Sequence, residues 1–286
     1  MHVRRLHFLT ALVCAAFVAG CTTSPPAPEA PPAGPSIDEL LDAAIAGDHR
    51  SPANVARDAW RHPKETLLFF GLRPDMTVME IWPGAGGWYT EILAPVLRDR
   101  GRLIAASWDP ASDNKFIQDS LTAFRAKLDA RPDIYGKVEV VALHYPTAMD
   151  AVPPGSVDMV LTFRNIHNWM PRDAAKPMLE AMFAALRPGG TLGVVEHRAA
   201  AGTPQDPKAR SGYVSEDYAI ELIESVGFRL AERSEVNANP ADTRDYEQGV
   251  WTLPPTLRLG DKDRDKYLAI GESDRFTLRF EKPAGR

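Results

Sequence analysis

Residues 77 to 93 read TVMEIWPGAGGWYTEIL: an apolar run, the acid Glu80, a turn carrying Gly84, Gly86 and Gly87, then a helical stretch. Glycines in such a turn let backbone N–H groups approach a ligand closely, and the start of the following helix adds a field that favours a carboxylate or phosphate. A dinucleotide fingerprint demands G-x-G-x-x-G, and counting from Gly84 and Gly86 puts Tyr89 where the third glycine belongs. That argues against a nicotinamide cofactor and an oxidoreductase. Other chemistry-bearing residues fall at the ends of apolar runs. His144, His167 and His197, three of the seven histidines, lie just past three of them, and Arg164 and Asn165 leave the run 157–163. An imidazole with a pKa near ~6.5 takes a proton from a hydroxyl or amine, which makes His167, and less strongly His197, a candidate base. The rival for His167 is a hydrogen bond to its own loop. Arg164 offers forked donors to a carboxylate, and Asn165 a polar contact, with loop bracing an equal alternative for both. Trp82, Trp88 and Tyr89 flank the turn, where stacking on a cation contributes ~0.5–2 kcal/mol, although aromatics beside a strand more often pack in the core.

These positions need a scaffold of alternating strands and helices. Short apolar runs predict strands near 77–81, 102–106, 138–143, 157–163 and 191–196, with helices near 87–97, 115–130, 173–186 and 215–226, the pattern of a parallel sheet covered on both faces. Two further alternating segments, 228–236 and 274–281, predict a closing antiparallel pair. The stretch 237–273 between them, with Pro240, Pro254 and Pro255, reads as an insertion that can act as a lid. Ahead of the sheet, Ser36-Ile37-Asp38-Glu39 forms a capping box, Ser51-Pro52 opens a second helix, and ETLLFFGL runs to Gly71 as a third, all packing on the sheet edge. Asn239-Pro240-Ala241-Asp242 reads as a turn.

The segment 77–93 resembles motif I of class I S-adenosylmethionine (SAM) methyltransferases, an acid followed by G-x-G-x-G. Glu80 stands as the acid, Gly84 and Gly86 as the second and third glycines, and Trp82 replaces the first. Later segments match in order: GRLIAASWDP from Gly101, VDMVLTFRNIHNW from Val157 and LRPGGTLGVVEH from Leu186, where Gly189 and Gly190 are expected to stop a helix and start a strand. RNIHNW, the Glu196-His197 pair, GYVSEDY and SDRFTLRFEKP resemble an exported subgroup of predicted bacterial methyltransferases. The resemblance, over roughly 50–283, implies a Rossmann-like α/β sheet of order 3-2-1-4-5-7-6 with N-terminal helices and SAM as cofactor. It implies that Glu80 holds the SAM amino group indirectly or through water, that Gly84 and Gly86 line the cofactor, and that Ser107, or Asp109 in its place, stands where an acid takes the ribose hydroxyls. In that order strand three lies three steps from strand four, at about 4.8 Å per step, so one zinc cannot take all three histidines. No metal site is expected.

The N-terminus is a separate object. Arg4 and Arg5 precede the apolar run FLTALVCAAFVA, too short to span a bilayer and read as a signal peptide over residues 1–20. Val18-Ala19-Gly20-Cys21 resembles the bacterial lipoprotein signal, which implies a lipidated Cys21, and Thr22 after it resembles outer-membrane cases. Arg4-Arg5-Leu6-His7-Phe8-Leu9 resembles a twin-arginine export signal with one residue too many. Cys14 leaves with the signal, so no disulfide forms in the mature monomer. Six prolines in residues 22–36 predict an extended tether, followed by one domain over 37–286. Loss of the signal removes two arginines and takes the net charge from −5 to −7, and nothing in this balance points to a nucleic-acid-binding surface.

The expected function is therefore a SAM-dependent methyltransferase facing the periplasm, held to the membrane by its lipid alone and acting on a small or envelope-associated acceptor. The alternative is a non-catalytic ligand-binding lipoprotein on a degenerate methyltransferase scaffold, for which Trp82 and Ser107 are the signs. SAM is made in the cytoplasm, so a chain exported unfolded would leave it behind.

Overall fold

The computed structural model describes residues 34–285, so the signal, Cys21 and most of the proline-rich tether lie outside the described residues. Four helices precede the sheet rather than three: α1 (Ile37–Ile45), α2 (Pro52–Val55), α3 (Asp58–Arg61) and α4 (Pro63–Phe69). The capping box forms as its residue types dictate. Glu39 Oε2 accepts from the Ser36 amide at 2.8 Å, and Ser36 Oγ accepts from the Glu39 amide at 3.3 Å. Ser51 caps α2 and Pro52 occupies its first turn.

The sheet has the order β3-β2-β1-β4-β5-β7-β6. Its strands are β1 (Thr77–Ile81), β2 (Arg102–Ser107), β3 (Glu139–Ala142), β4 (Val157–Phe163), β5 (Leu186–His197), β6 (Arg229–Ser234) and β7 (Arg275–Glu281). The pairs β1–β2, β1–β4, β2–β3 and β4–β5 are parallel, whereas β7 runs antiparallel to both β5 and β6. Connecting helices α5 (Thr90–Leu97), α6 (Lys115–Ala130), α7 (Pro132–Tyr135), α8 (Ile166–Trp169), α9 (Ala175–Ala185), α10 (Glu216–Glu224) and α11 (Arg264–Ile270) complete the layers. Among the described residues no helix is long and apolar enough to cross a membrane.

Two cores form, one on each face of the sheet. Strand β1 divides by its period of two: Met79 and Ile81 join the core with α9 and α10, and Val78 joins that with α1 and α5. The lead-in helices lie on this second face rather than at the sheet edge. Phe70, just past α4, rests on β5 where a Cβ on Gly193 would come within 2.8 Å of its ring. A buried ionic cluster holds α2 and α3 in place: Glu91 of α5, wholly buried, accepts from Arg50 Nε at 3.4 Å, Asn54 Nδ2 at 3.0 Å and Lys127 Nζ, while Arg50 also takes Asp58 with two donors.

One expectation about the turn after α9 fails. The helix ends at Ala185, before the glycines, and LRPGG already belongs to β5, with Leu186 paired to Val157 and the Gly189 amide donating to Lys282 O at 2.8 Å. Pro188 cannot donate to a helix, and pairing with Val157 and Lys282 satisfies the backbone instead. The 237–273 stretch holds α11 and a short turn of 3-10 helix at Gly249–Thr252. Asn239 and Asp242 brace it: the Asn239 amide group donates to Ile270 O and Glu272 O, and Asp242 accepts from Tyr213 and the Asp274 amide.

Candidate functional site

Both halves of the site lie at the carboxyl ends of the parallel strands, the edge where open α/β sheets take ligands. On the β1 side, Glu80 is 2% exposed and accepts from Thr90 Oγ at 2.6 Å. Burial pushes its carboxyl up to about 7, against the Thr90 hydrogen bond that favours the ionised form. Past it, Trp82 adopts a left-handed φ of 47°, a conformation glycine takes without cost and tryptophan does not. At Gly84 and Gly86 an added Cβ meets nothing within 4 Å, so the turn opens on clear space.

The three aromatics beside the turn separate. Tyr89 stacks on Phe163 at 3.5 Å between ring centroids, in the core, and Trp88 lies under the Arg61 guanidinium at 4.8 Å and donates to Asn54 O. Trp82 crosses the ends of β1 to β3. Its Nε1 donates to Leu143 O at 2.8 Å and its ring meets Trp108, His144 and Trp169 at 5.4 to 6.0 Å. Ser107 is buried at the end of β2. Asp109, half-buried beyond it, is held by the Thr147 hydroxyl from the loop after β3 and by the Ala111 amide of its own loop, which keep its carboxyl below the usual range. Asn165 is a brace: its amide group donates to Ile81 O at 2.9 Å and Thr162 Oγ at 3.2 Å, tying β4 to β1.

The second half lies over β4, β5 and β7. His167 Nδ1 donates to Glu196 Oε1 at 2.9 Å, a direction fixed because a carboxylate only accepts, so Nε2 is the ring nitrogen left as acceptor. His197 stands beside it, ring centroids 5.2 Å apart, with its Nδ1 2.5 Å from Ser273 Oγ. Burial first, then His167, Arg275, Arg164 and Arg61, push the His197 pKa well down, so it stays neutral. The β5–β7 register places His197 opposite Arg275. Arg57 and Arg61 from the lead-in helices, with Arg164, Arg275, His167, His197 and Trp251, line a cavity of about 240 Å³. Pro254 and Pro255 form part of its wall, so the 237–273 stretch covers this half of the site.

His167, Glu196 and His197 present possible metal ligand atoms within 4.8 Å of one another. Glu196 is already committed: it accepts from the His167 ring, the His167 amide at 3.3 Å and the His197 amide at 2.8 Å. Four guanidiniums border the same space, so a dication would meet like charge. The donor set does not suit a metal ion. His144 stays with Trp82, away from the other two histidines.

No family model matches the chain, and no curated protein is similar to it in sequence. Solved structures do match. A SAM-dependent methyltransferase from Aquifex aeolicus aligns with a TM-score of 0.53 at 16% identity, over 86% of this chain and 98% of its own. The 4+2 cyclase SpnF aligns at 0.54 and 15% identity, over 87% and 94%. Phosphoethanolamine N-methyltransferase 2 from Haemonchus contortus, solved with S-adenosyl-L-methionine, aligns at 0.52 and 14% identity, over 85% of this chain and 60% of its own. With the strand order, these likenesses show that the chain has the fold of the class I SAM-dependent methyltransferases.

Proposed function

We propose that the protein is a SAM-dependent methyltransferase whose acceptor, a small or envelope-associated molecule, lies in the cavity over β4, β5 and β7. The observation that carries this reading is the juxtaposition, along one sheet edge, of a glycine turn open above Gly84 and Gly86 with an imidazole whose free Nε2 is set by Glu196. The residues at the turn fit the amino-acid end of SAM: the space over Gly84 and Gly86 is clear, and Glu80 offers a buried carboxylate to an ammonium group. At the nucleoside end Trp82 stands where the family pattern has a glycine and Ser107 where it has an acid, and Trp108 and His144 pack against Trp82, so aromatic faces meet that half of the cofactor.

SAM, when bound, supplies an electrophilic methyl group on a sulfonium. The chain's part is to hold the acceptor in line and to remove its proton. His167 Nε2 is placed to take the proton of an acceptor hydroxyl or amine that would receive the methyl group, the sulfonium being released as a neutral thioether. Glu196 stabilises the imidazolium that forms, and neutral His197 adds no competing positive charge. The fold alone hosts other chemistry, as the cyclase illustrates, so the assignment depends on the cofactor. Calorimetric titration of SAM into the purified full chain tests it. Saturable binding is expected, and it should vanish in Gly86→Asp, which places a carboxylate in the clear space without a backbone penalty. Absence of binding to the unaltered chain would leave the ligand-binding scaffold as the reading. We also place the protein at the envelope, anchored through Cys21; Cys21→Ala should move it from the membrane to the soluble fraction.

A further inference from the structure

The cavity over β4, β5 and β7 carries more positive charge than its own fold uses. Arg57 and Arg61 reach it from the lead-in helices, Arg164 from the end of β4 and Arg275 from the start of β7. Glu272 is the one acid among the described residues that line it. Its carboxylate accepts from Arg57 Nε at 2.5 Å, from Arg61 Nε at 3.0 Å and from Arg275 Nη2. Among the lining residues four guanidiniums against one carboxylate leave a formal charge of +3, or +2 when Glu196 behind His167 is counted, and His197 is held neutral beside them.

The hydrogen-bond inventory is also incomplete. Arg61 and Arg275 are 3% and 2% exposed, yet Arg61 Nη1 and Arg275 Nε are sealed from solvent without a partner. The half-buried Arg164 guanidinium forms no ion pair or side-chain hydrogen bond among the described residues; desolvation and Arg275 lower its pKa to about 10, against the longer-range pull of Glu272. Buried donors in folded proteins are almost always satisfied, and a buried charge without a counter-charge is strongly unfavourable. Gluing the lead-in helices to the sheet accounts for Arg57, Arg61 and Arg275, which share Glu272. It does not account for Arg164, whose guanidinium makes no direct contact with Glu272 and repels the other three. Water does not reach the two sealed donors, and at the nitrogens that face the cavity it brings no charge.

We propose that this cage is an oxyanion site that takes a phosphomonoester group of the molecule on which the protein acts, seated beside His167 and His197. Guanidinium forks match phosphate oxygens in pairs, and a dianion offsets more of the +3 than a carboxylate does. The cavity has the size of a headgroup, below the range of about 300–1,000 Å³ that holds whole drug-sized ligands. Equating the phosphorylated molecule with the methyl acceptor rests on the methyltransferase reading; the anion site does not.

The test is titration of inorganic phosphate into the purified full chain at constant ionic strength, followed by calorimetry and melting temperature, for the unaltered protein and Arg164→Gln. Saturable stabilisation by phosphate is expected. Arg164→Gln should bind phosphate about tenfold or more weakly, as loss of a charged donor predicts, while melting higher than the unaltered chain in phosphate-free buffer. No saturable phosphate effect overturns the proposal. So does an Arg164→Gln variant that melts lower and binds phosphate unchanged, because that is the behaviour of structural glue. A third arm repeats the titration with saturating SAM. Unchanged phosphate binding supports a separate site, whereas displacement by SAM would make the cage the seat of the cofactor's own carboxylate and overturn the assignment. Phosphate binding in a chain that takes no SAM would keep the cage and remove the methyltransferase reading.

Discussion

Glu196 Oε1 lies 2.9 Å from His167 Nδ1 in the interior of the protein, and the same carboxylate takes the backbone amides of His167 and His197. One buried acid thus fixes both the tautomer of the candidate base and the loop that carries it. Glu196→Gln keeps the shape but removes the charge and puts a donor where the ring needs an acceptor. Methyl transfer should fall about 10- to 100-fold in kcat with KM little changed, since proton transfer and not binding is lost. Denaturant unfolding should also show a loss of about 1.5–3 kcal/mol, the usual contribution of charge-assisted hydrogen bonds. An unaltered kcat would remove His167 from the base role.

Glu80 sets a pH dependence of the opposite sense to that of an ordinary paired carboxylate. Its folded pKa of about 7 lies above the usual 4.5, so the folded state holds the proton more tightly than the unfolded one. Its contribution is present below pH 4.5 and is lost as pH rises toward 7, amounting to roughly 3 kcal/mol by linkage. Glu80→Gln should therefore unfold at higher denaturant than the unaltered chain at pH 8, with the difference shrinking toward pH 5. A bound ammonium group would draw Glu80 back to its charged form, so SAM binding near pH 6 should release a proton. Calorimetry in two buffers of different ionisation heat reads that release.

His197 acts in the other direction. Its folded pKa lies well below the unfolded value, so the unfolded chain gains a proton on acidification that the folded chain refuses. Stability present above pH 6.5 is lost as pH falls below it. His197→Gln, which keeps a polar side chain beside Ser273, should flatten the acid side of the stability profile while leaving the slope due to Glu80. Equal acid slopes in the two proteins would place the effect elsewhere.

Much of the scaffold is legible in the sequence because it is written in local terms. Strand β4 and helix α6 occupy the residues that period and capping predict, Ser36 and Ser51 cap as their types require, and the strand order follows from the motif resemblance. The arginine cage has no such local signature. Arg57 meets Glu272 across 215 positions, and Arg61 meets it across 211, with no spacing rule to connect them. The signal that existed was polarity in the wrong place: Glu196 follows the buried run Gly193–Val195 near the end of β5, and Arg275 opens the buried first half of β7. Asn165 was open to both readings for the converse reason. A polar residue at a strand end looks like a ligand contact until its amide is seen spent on Ile81 O.

Trp82 decides how the nucleoside half of the site works. Its φ of 47° is strained for any residue with a side chain, and its indole lies against Trp108, His144 and Trp169 at the ends of the strands. Trp82→Gly restores the glycine of the family pattern and clears that space. Loss of the half-buried ring should lower stability by roughly 2–3 kcal/mol, after relief of about 1 kcal/mol of backbone strain. If the indole occupies room that the nucleoside uses, SAM should bind about tenfold more tightly to the variant despite its lower melting temperature. If the ring serves instead as a stacking platform, affinity should fall by a similar factor, as loss of one aromatic contact predicts. The two outcomes have opposite signs, so a single titration distinguishes a plug from a platform.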